Sequence, residues 1–328
     1  MLTYLIRRFM IALGTVWAIS ILTFVIIQLP PGDYVTSYIA QLEASGDIVT
    51  DQEAENLKRQ YGLDQPVTMQ YVKWVSQIMR GNFGMSMEWR RPVGDLIGER
   101  LALTVLLALA ALVLTWILAL PAGIYSAIRQ YSPADYTITF LGLVGLAVPN
   151  FLLALVVMYM GFRYFGANVG GLFSPEYIDA PWSLARCWDL MKHLWLPALI
   201  LGAAGTGHLL RIMRANLLDE IRKPYVVAAR ARGLQEHRVV LKYPVRLALN
   251  PFISTIGYTL PVLVSGSIII SIVLSLPTVG PLLLKALLAQ DMFLAGTIIL
   301  LIGVLTVIGT FISDLMLMWV DPRIRMES

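Results

Sequence analysis

The sequence predicts an all-α, polytopic membrane protein with six transmembrane helices, both termini on the inner side, and a helical extracytoplasmic insertion after the first helix. Three observations predict this class. Of the 328 residues, 57% are hydrophobic and only 14% are charged, about half the charged share of a soluble protein. The apolar residues fall in six long runs, and the mean hydropathy is +0.70. The cations lie beside these runs, where they set orientation and do not indicate a nucleic-acid partner.

The first apolar run extends from Phe9 to Leu29. It is long enough to cross the hydrocarbon core and longer than the core of a signal peptide. Arg7 and Arg8 precede the run, and two prolines follow it. We therefore expect residues 1–31 to form an uncleaved first transmembrane helix with its arginines inside.

Residues 32–99 form the longest polar stretch of the chain. Apolar residues at helical spacing predict a helix over 67–79, and Gly81 ends it. Pro92 opens a further short helical piece. We expect residues 32–99 to form a small helical subdomain on the extracytoplasmic surface. The cations in this stretch do not contradict that placement, because the preference of positive charge for the inner side applies mainly to short loops.

The other five runs define a core over residues 100–328. They are Leu101–Ala127, Tyr136–Phe162, His193–Leu210, Phe252–Leu276 and Phe293–Val320. Pro149 and Asn150 predict a kink in the third span. With the N-terminus inside, most cations fall in inner segments, and the loop 211–251 is cytoplasmic.

That loop is the most basic part of the chain, with nine cations and three anions between Arg211 and Arg246. Pro224 suits the first turn of a helix, and Gly233 suits the left-handed residue that follows one. Between these ends, one helical face carries small, aromatic and basic side chains: Tyr225, Ala228, Ala229 and Arg232. A solvated basic loop explains the charge of this segment but explains neither the alanine face nor the defined ends of the helix. We therefore favour a docking helix for a cytoplasmic partner.

The sequence contains no pattern of catalytic, metal-binding or nucleotide-binding residues. Cys187 is the single cysteine, the three histidines are dispersed, and no phosphate-binding loop motif occurs, so we expect no enzyme, metal site or cofactor. Spans one, two, three and five contain no Asp, Glu, Lys, Arg or His between their boundaries. This speaks against a self-contained secondary transporter or channel, which remains the alternative, and against an intramembrane enzyme. An external, nucleotide-binding motor is the expected source of energy.

The fifth span carries hydroxyl groups that are candidates for a solute path. Ser254, Tyr258 and Ser265 lie on one arc of the helix, and a second arc holds Ser267, Ser271 and Ser275. Any single serine is better explained by a hydrogen bond to its own backbone or to an adjacent helix. Two polar arcs on an uncharged span favour a conduit with weak, reversible contacts.

Several short motifs in a fixed order resemble the permease subunits of ABC importers of the dipeptide, oligopeptide and nickel type. They are YLIRR at 4–8, PGD at 31–33, YGLDQP at 61–66, GNFG at 81–84, RPV at 91–93, PAG at 121–123, VPNF at 148–151, LPA at 196–198, YVVAARARGL at 225–234 and DPRIR at 321–325. Each motif alone is weakly specific, whereas their order and spacing along nearly the whole chain are specific.

The resemblance implies half of a translocation pathway for peptides or a similar small polar solute in a bacterial or archaeal cytoplasmic membrane. It implies pairing with a second homologous permease, two cytoplasmic ATPases that bind ATP and magnesium, and an extracytoplasmic solute-binding protein. It also implies that the ATPase-coupling residues are Tyr225, Ala228, Ala229, Arg232 and Gly233.

Overall fold

The computed structural model describes residues 2–28, 55–56, 59, 65–166, 169–254 and 256–320, without the side chains of 2–5, 250–254, 256–261, 313 and 316–320. The described residues form helices and short turns, which confirms the predicted all-α class. The prolines after the first run and the DPRIR stretch lie outside the described residues.

Twelve α-helices account for most of the described residues. They are α1 Leu2–Gln28, α2 Val67–Met79, α3 Val93–Ile128, α4 Pro133–Ala147, α5 Asn150–Phe165, α6 Leu184–Ile221, α7 Pro224–Ala231, α8 Glu236–Lys242, α9 Pro244–Ser254, α10 Ile256–Val273, α11 Val279–Leu288 and α12 Met292–Val320.

Four described helices are long and apolar enough to cross a membrane: α1, α3, α6 and α12. The consecutive helices α4 and α5 pass the same test together but are bent by 109°. The fifth predicted run corresponds to α9 and α10, of which only Val262–Val273 is a described apolar stretch. The exact count of six spans and the N-in, C-in orientation therefore stay predictions.

The bend between α4 and α5 is much sharper than the predicted kink. Proline cannot donate a backbone hydrogen bond, and the residue before it avoids the helical region. Val148 accordingly has an extended backbone with ψ 123°, and Pro149 precedes α5 as its N-cap. Together these residues divide one apolar run into two half-helices.

Helix α2 has the predicted bounds, and Gly81 just beyond it has φ +76°. The piece predicted to open at Pro92 is continuous with the second span, because α3 runs for 36 residues from Val93. At 1.5 Å per residue this helix is about 54 Å long, well beyond the membrane core of about 30 Å. No helix boundary separates residues 99 and 100, so the proposed division there stays a prediction.

The chain divides into two compact units. The first unit contains Ile6–Leu103 and Thr278–Val307. In it the ring of Phe24 lies 5.4 Å from Tyr71 and 5.8 Å from Trp74, which packs α1 against α2.

A buried carboxylate holds another part of the first unit together. Asp291, fully buried just before α12, accepts hydrogen bonds from Oγ of Ser86 at 2.5 Å and from the amide of Glu88 at 3.2 Å. It also accepts one from the amide of Leu294 at 3.1 Å, which caps α12. The loop before α3 is thereby fixed to the start of the last helix.

The second unit is formed mainly by Thr104–Pro277 and is built around α6. This helix begins at Leu184, so the last third of the predicted outer loop 163–192 is its first turns. In its first turn, the guanidinium of Arg186 lies 4.7 Å from the ring of Phe173 and 4.4 Å from that of Trp182, both of which precede the helix. These cation–π contacts order the loop before α6.

Candidate functional site

Helix α7 has the ends that the sequence predicts. Pro224 occupies its first turn after Lys223, where a missing amide hydrogen has no cost. The helix closes at Arg232, and Gly233 follows with φ +76°, a conformation that other residues adopt only with strain. The basic segment, residues 211–251, therefore contains a discrete helix of eight residues.

One side of α7 is buried inside the chain. Val226 is fully buried and Ala229 is 7% exposed, and both pack with Val239 of α8. Tyr225 and Tyr243 are partly buried against this small core. The structure thus places the predicted coupling residue Ala229 on the buried face that attaches α7 to the rest of the chain, and away from the exposed face of the helix.

The opposite side of α7 is exposed. Val227 is 55% exposed, and Pro224, Ala228 and Ala231 are exposed beside it. At about 100° per residue, the centre of this free face lies roughly 100° from the centre of the predicted one. Of the predicted face, Ala228 and Arg232 are exposed, while Tyr225 is half-buried.

Tyr225 connects α7 to the end of α6. Its hydroxyl donates a hydrogen bond to Oε2 of Glu220 at 2.5 Å, and Nζ of Lys223 lies 2.5 Å from the other oxygen. Burial and the bond to Glu220 raise the pKa of Tyr225 to about 12, so the hydroxyl keeps its proton at neutral pH. The residue fixes the angle at which α7 leaves α6.

A second polar contact connects α7 to α8. The guanidinium of Arg230 donates to both carboxylate oxygens of Glu236, with Nε 3.0 Å and Nη2 2.6 Å from the nearer ones. This pairing raises the pKa of Arg230 and lowers that of Glu236. The bidentate geometry orients α7 on α8.

Helices α8 and α9 connect the buried face of α7 to α6 by apolar packing. Val240 and Val245 are buried in one apolar core with Met213 and Leu217 of α6, and Ala248 of α9 completes the contact. A close-packed interior transmits displacement because it has low compressibility. A force on the exposed face of α7 would therefore reach α6 through a continuous packed path.

An ion pair that sequence reasoning missed lies on the same helix. Nη2 of Arg214 on α6 is 2.9 Å from Oδ2 of Asp135 in the first turn of α4, and Nε of Arg214 is 3.1 Å from Oδ1. Asp135 is buried, and its Oδ2 also accepts from the amide of Tyr131 at 2.9 Å. Ser132 caps α4 three residues before Asp135, a spacing that could have identified the helix start but not its distant partner.

Glycines let α4 approach α6 very closely. A β-carbon on Gly207 would lie 2.1 Å from the carbonyl oxygen of Gly142, and one on Gly145 would lie 2.8 Å from that of Ala203. The small residues of α6 thus form a packing strip against α4.

The break between α4 and α5 lies against the middle of α6. The amide of Asn150 donates to the carbonyl of Leu201 at 3.3 Å, and the carbonyl of Gly202 accepts from the hydroxyls of Thr115 at 3.2 Å and Thr206 at 2.9 Å. Asp135 meets α6 at one end, and Ser174 beyond α5 meets it at the other through Asp189. The contacts favour one broken span over a re-entrant loop.

The predicted path residues differ in their surroundings. Ser265 is exposed, whereas Ser267 is buried and donates to the carbonyl of Val264 at 2.7 Å. Ser271 is buried, and its hydroxyl has no hydrogen-bond partner among the described residues. The side chains of Ser254 and Tyr258 lie outside the described residues.

Ser275 follows α10 in a left-handed conformation with φ +52°. It therefore does not continue the second predicted arc. The solute path along the fifth span stays a prediction.

Two family models match the chain. The model described as binding-protein-dependent transport system inner membrane component matches residues 119–326, which include the whole basic segment. The model of the N-terminal part of such a membrane component matches residues 1–108. Together they cover nearly the full length.

Relatives match along their entire length. A Brucella ovis protein provisionally named a peptide permease is 36% identical over 327 residues, 99% of each chain. The oligopeptide transport system permease protein AppB of Bacillus subtilis is 34% identical over 99% of this chain and 100% of its own. The glutathione transport system permease protein GsiC of Escherichia coli O1:K1 is 30% identical over 99% of both chains.

These matches confirm the resemblance found in the motifs. They identify a multi-pass protein of the cytoplasmic membrane that is a permease subunit rather than a catalytic enzyme, and whose transport depends on a solute-binding protein and ATPase partners. The chain belongs to the binding-protein-dependent transport system inner membrane component family, the membrane permeases of ABC importers.

Proposed function

We propose that this permease forms half of the translocation pathway of an ATP-driven importer for peptides or a similar small polar solute. The names of its full-length relatives, which refer to peptides, oligopeptides and glutathione, support this solute class. The four membrane runs that contain no Asp, Glu, Lys, Arg or His support a pathway that does not hold its cargo by ion pairs.

The observation that carries the proposal is that α7 exposes one face and is attached to α6 through the other. Its exposed face, Pro224, Val227, Ala228 and Ala231, offers small apolar contacts to a partner, and Arg232 at its end offers a cation. Its buried face is fixed to α6 through α8 and α9. Such a helix suits a surface that seats in an ATPase and passes the closure of that ATPase to the membrane part.

The complete importer would contain this chain, a second homologous permease, two cytoplasmic ATPases and an extracytoplasmic solute-binding protein. ATP and magnesium would bind to the ATPases, because this chain contains no phosphate-binding loop motif. In this arrangement residues 1–31 are the first span, 32–99 the extracytoplasmic insertion and 100–328 the permease core, with 211–251 facing the ATPases.

Co-purification and ATP hydrolysis test the assembly. The chain expressed with its second permease and both ATPases should purify as one complex whose hydrolysis of ATP rises when the loaded solute-binding protein is added. The purified chain alone should hydrolyse no ATP. Turnover by the isolated chain, or failure of the ATPases to co-purify with it, would contradict the proposal.

A further inference from the structure

The first unit contains a cavity that the docking helix and the predicted path do not involve. Its volume is about 610 Å³, within the range of small-molecule sites. All of its lining residues belong to the first unit. They are Phe24, Ile27, Arg59, Gln65, Gln70, Lys73, Trp74, Gln77, Asn82, Gly84, Met85, Met87, Pro92, Met292 and Phe293.

The cavity lies where two membrane helices end. Phe24 and Ile27 belong to the last turns of α1, and Met292 and Phe293 to the first turn of α12. Helix α2 of the insertion forms a further wall through Lys73 and other residues. With the proposed orientation, this is the outer membrane boundary, where solute arrives.

The lining combines apolar side chains with carboxamide side chains. Aromatic and thioether side chains supply the apolar surface, and Gln65, Gln70, Gln77 and Asn82 supply amide groups. Each carboxamide carries both hydrogen-bond donors and an acceptor, as a peptide group does.

Two buried polar atoms of the lining lack a hydrogen-bond partner among the described residues. One is a donor, Nε1 of Trp74, whose residue is only 5% exposed; the other is an acceptor, Oε1 of Gln65. Buried polar groups are almost always hydrogen-bonded, so this pair points to a ligand. The ligand must offer one acceptor and one donor.

We propose that the cavity binds a short peptide at the outer entrance of the permease, an inference that rests on the proposed function. The carbonyl of one peptide group accepts from Nε1 of Trp74, and an amide hydrogen donates to Oε1 of Gln65. Lys73 provides a cation for the peptide carboxylate, whereas Arg59 is paired with Glu55 at 2.6 Å.

A phospholipid fits this lining less well. The phosphate and ester oxygens that all phospholipids share only accept hydrogen bonds, so they match Nε1 of Trp74 alone, and a donor for Oε1 of Gln65 would depend on the headgroup, whereas every peptide group supplies both. The apolar lining alone does not distinguish the two ligands, but the need for an acceptor and a donor together favours the peptide.

Protection from cysteine labelling tests the site in the full importer in lipid nanodiscs. The variants Gln77→Cys, in the lining, and Met79→Cys, 81% exposed and outside it, are made in a Cys187→Ser background. A pool of tripeptides randomised at all positions should slow maleimide labelling of Gln77→Cys only. Free amino acids of the same composition should not.

Two substitutions test the recognition itself. Trp74→Phe keeps an aromatic ring without the donor, and Gln65→Met keeps the length without the acceptor. Each should raise the half-protecting tripeptide concentration by about tenfold, the loss that corresponds to one hydrogen bond. Ser76→Ala, on the same helix and outside the lining, should leave it unchanged.

Equal labelling with and without tripeptides would overturn the proposal. So would slowing that follows the anionic lipid content of the nanodiscs and ignores tripeptides, which would assign the cavity to lipid. Uptake of the same tripeptide pool separates this inference from the proposed function. Uptake without protection overturns the cavity site alone, protection without uptake supports the site and contradicts peptide transport, and absence of both overturns both.

Discussion

The hydroxyl of Tyr225 donates a hydrogen bond to Oε2 of Glu220 over 2.5 Å, which joins the first turn of α7 to the last turn of α6. Tyr225 also contributes to the small core under α7. This side chain therefore helps to set both the position and the direction of α7 relative to α6.

This contact predicts an unusual titration. Tyr225 has a pKa of about 12 in the folded chain instead of 10.0, because it is buried and bonded to Glu220. A raised folded-state pKa means that the stabilisation is complete below pH 10 and is lost as the pH rises through about 12. The phenolate absorbance of the wild type minus that of Tyr225→Phe should titrate near pH 12, and a difference curve centred near pH 10 would contradict the assignment.

Neighbouring alanines on α7 should respond differently to a charge. Ala228 is exposed and Ala229 is buried against Val226 and Val239. Ala228→Glu should leave the helix folded but weaken ATPase binding by about a hundredfold, since burying an unpaired charge costs roughly 3 kcal/mol.

Ala229→Glu should instead loosen α7 itself, so that protease cuts the basic segment faster even without ATPases. Co-purification and limited proteolysis measure the two effects. Normal assembly of the Ala228→Glu variant would show that the exposed face does not dock.

Two glycines of α6 allow a comparison between a tightly packed position and an open one. A β-carbon on Gly207 would clash with the backbone of Gly142 at 2.1 Å, whereas one on Gly205 would meet nothing closer than Thr115 at 3.5 Å. Gly207→Ala should destabilise the chain by about 1–3 kcal/mol, the usual cost of overpacking, and Gly205→Ala should be tolerated. Thermal unfolding in detergent compares them, and equal melting temperatures would refute the close contact of α4 with α6.

The fifth span offers a similar comparison for the solute path. Ser265 is exposed, whereas Ser267 is buried and bonded to its own helix. Ser265→Leu, like Tyr258→Leu, should lower uptake while the complex with the ATPases persists, because it removes a polar contact from the path.

Ser267→Leu should impair folding first, since it adds bulk to a packed site. Uptake and co-purification are measured for each variant. Unchanged uptake in Ser265→Leu and Tyr258→Leu would place the path elsewhere.

Local signals predicted the parts of the site that depend on a few neighbouring residues. Proline and glycine act through their own backbone conformations, so Pro224 and Gly233 gave both ends of α7 correctly. The direction in which the helix faces was not predictable in this way. It depends on Val239, which lies ten residues beyond Ala229 in another helix.

Long-range contacts could not be predicted from the sequence either, because their partners lie far apart along the chain. Asp135 and Arg214 are 79 residues apart, and nothing near either of them specifies the other. Pro149 predicted a kink, but the 109° bend also depends on the extended backbone of Val148 and on the support of Asn150 by α6. The apolar runs, by contrast, predicted the all-α membrane class because hydropathy is a local property.

Solute uptake into sealed proteoliposomes tests the central claim most directly. The vesicles contain this chain, its second permease and both ATPases, with ATP inside and the solute-binding protein outside. We predict that a tripeptide pool accumulates against its gradient only when ATP and the loaded binding protein are both present. Uptake that proceeds without ATP or without the binding protein, or no peptide uptake by a complex that hydrolyses ATP, would contradict the assignment as a peptide-importer permease.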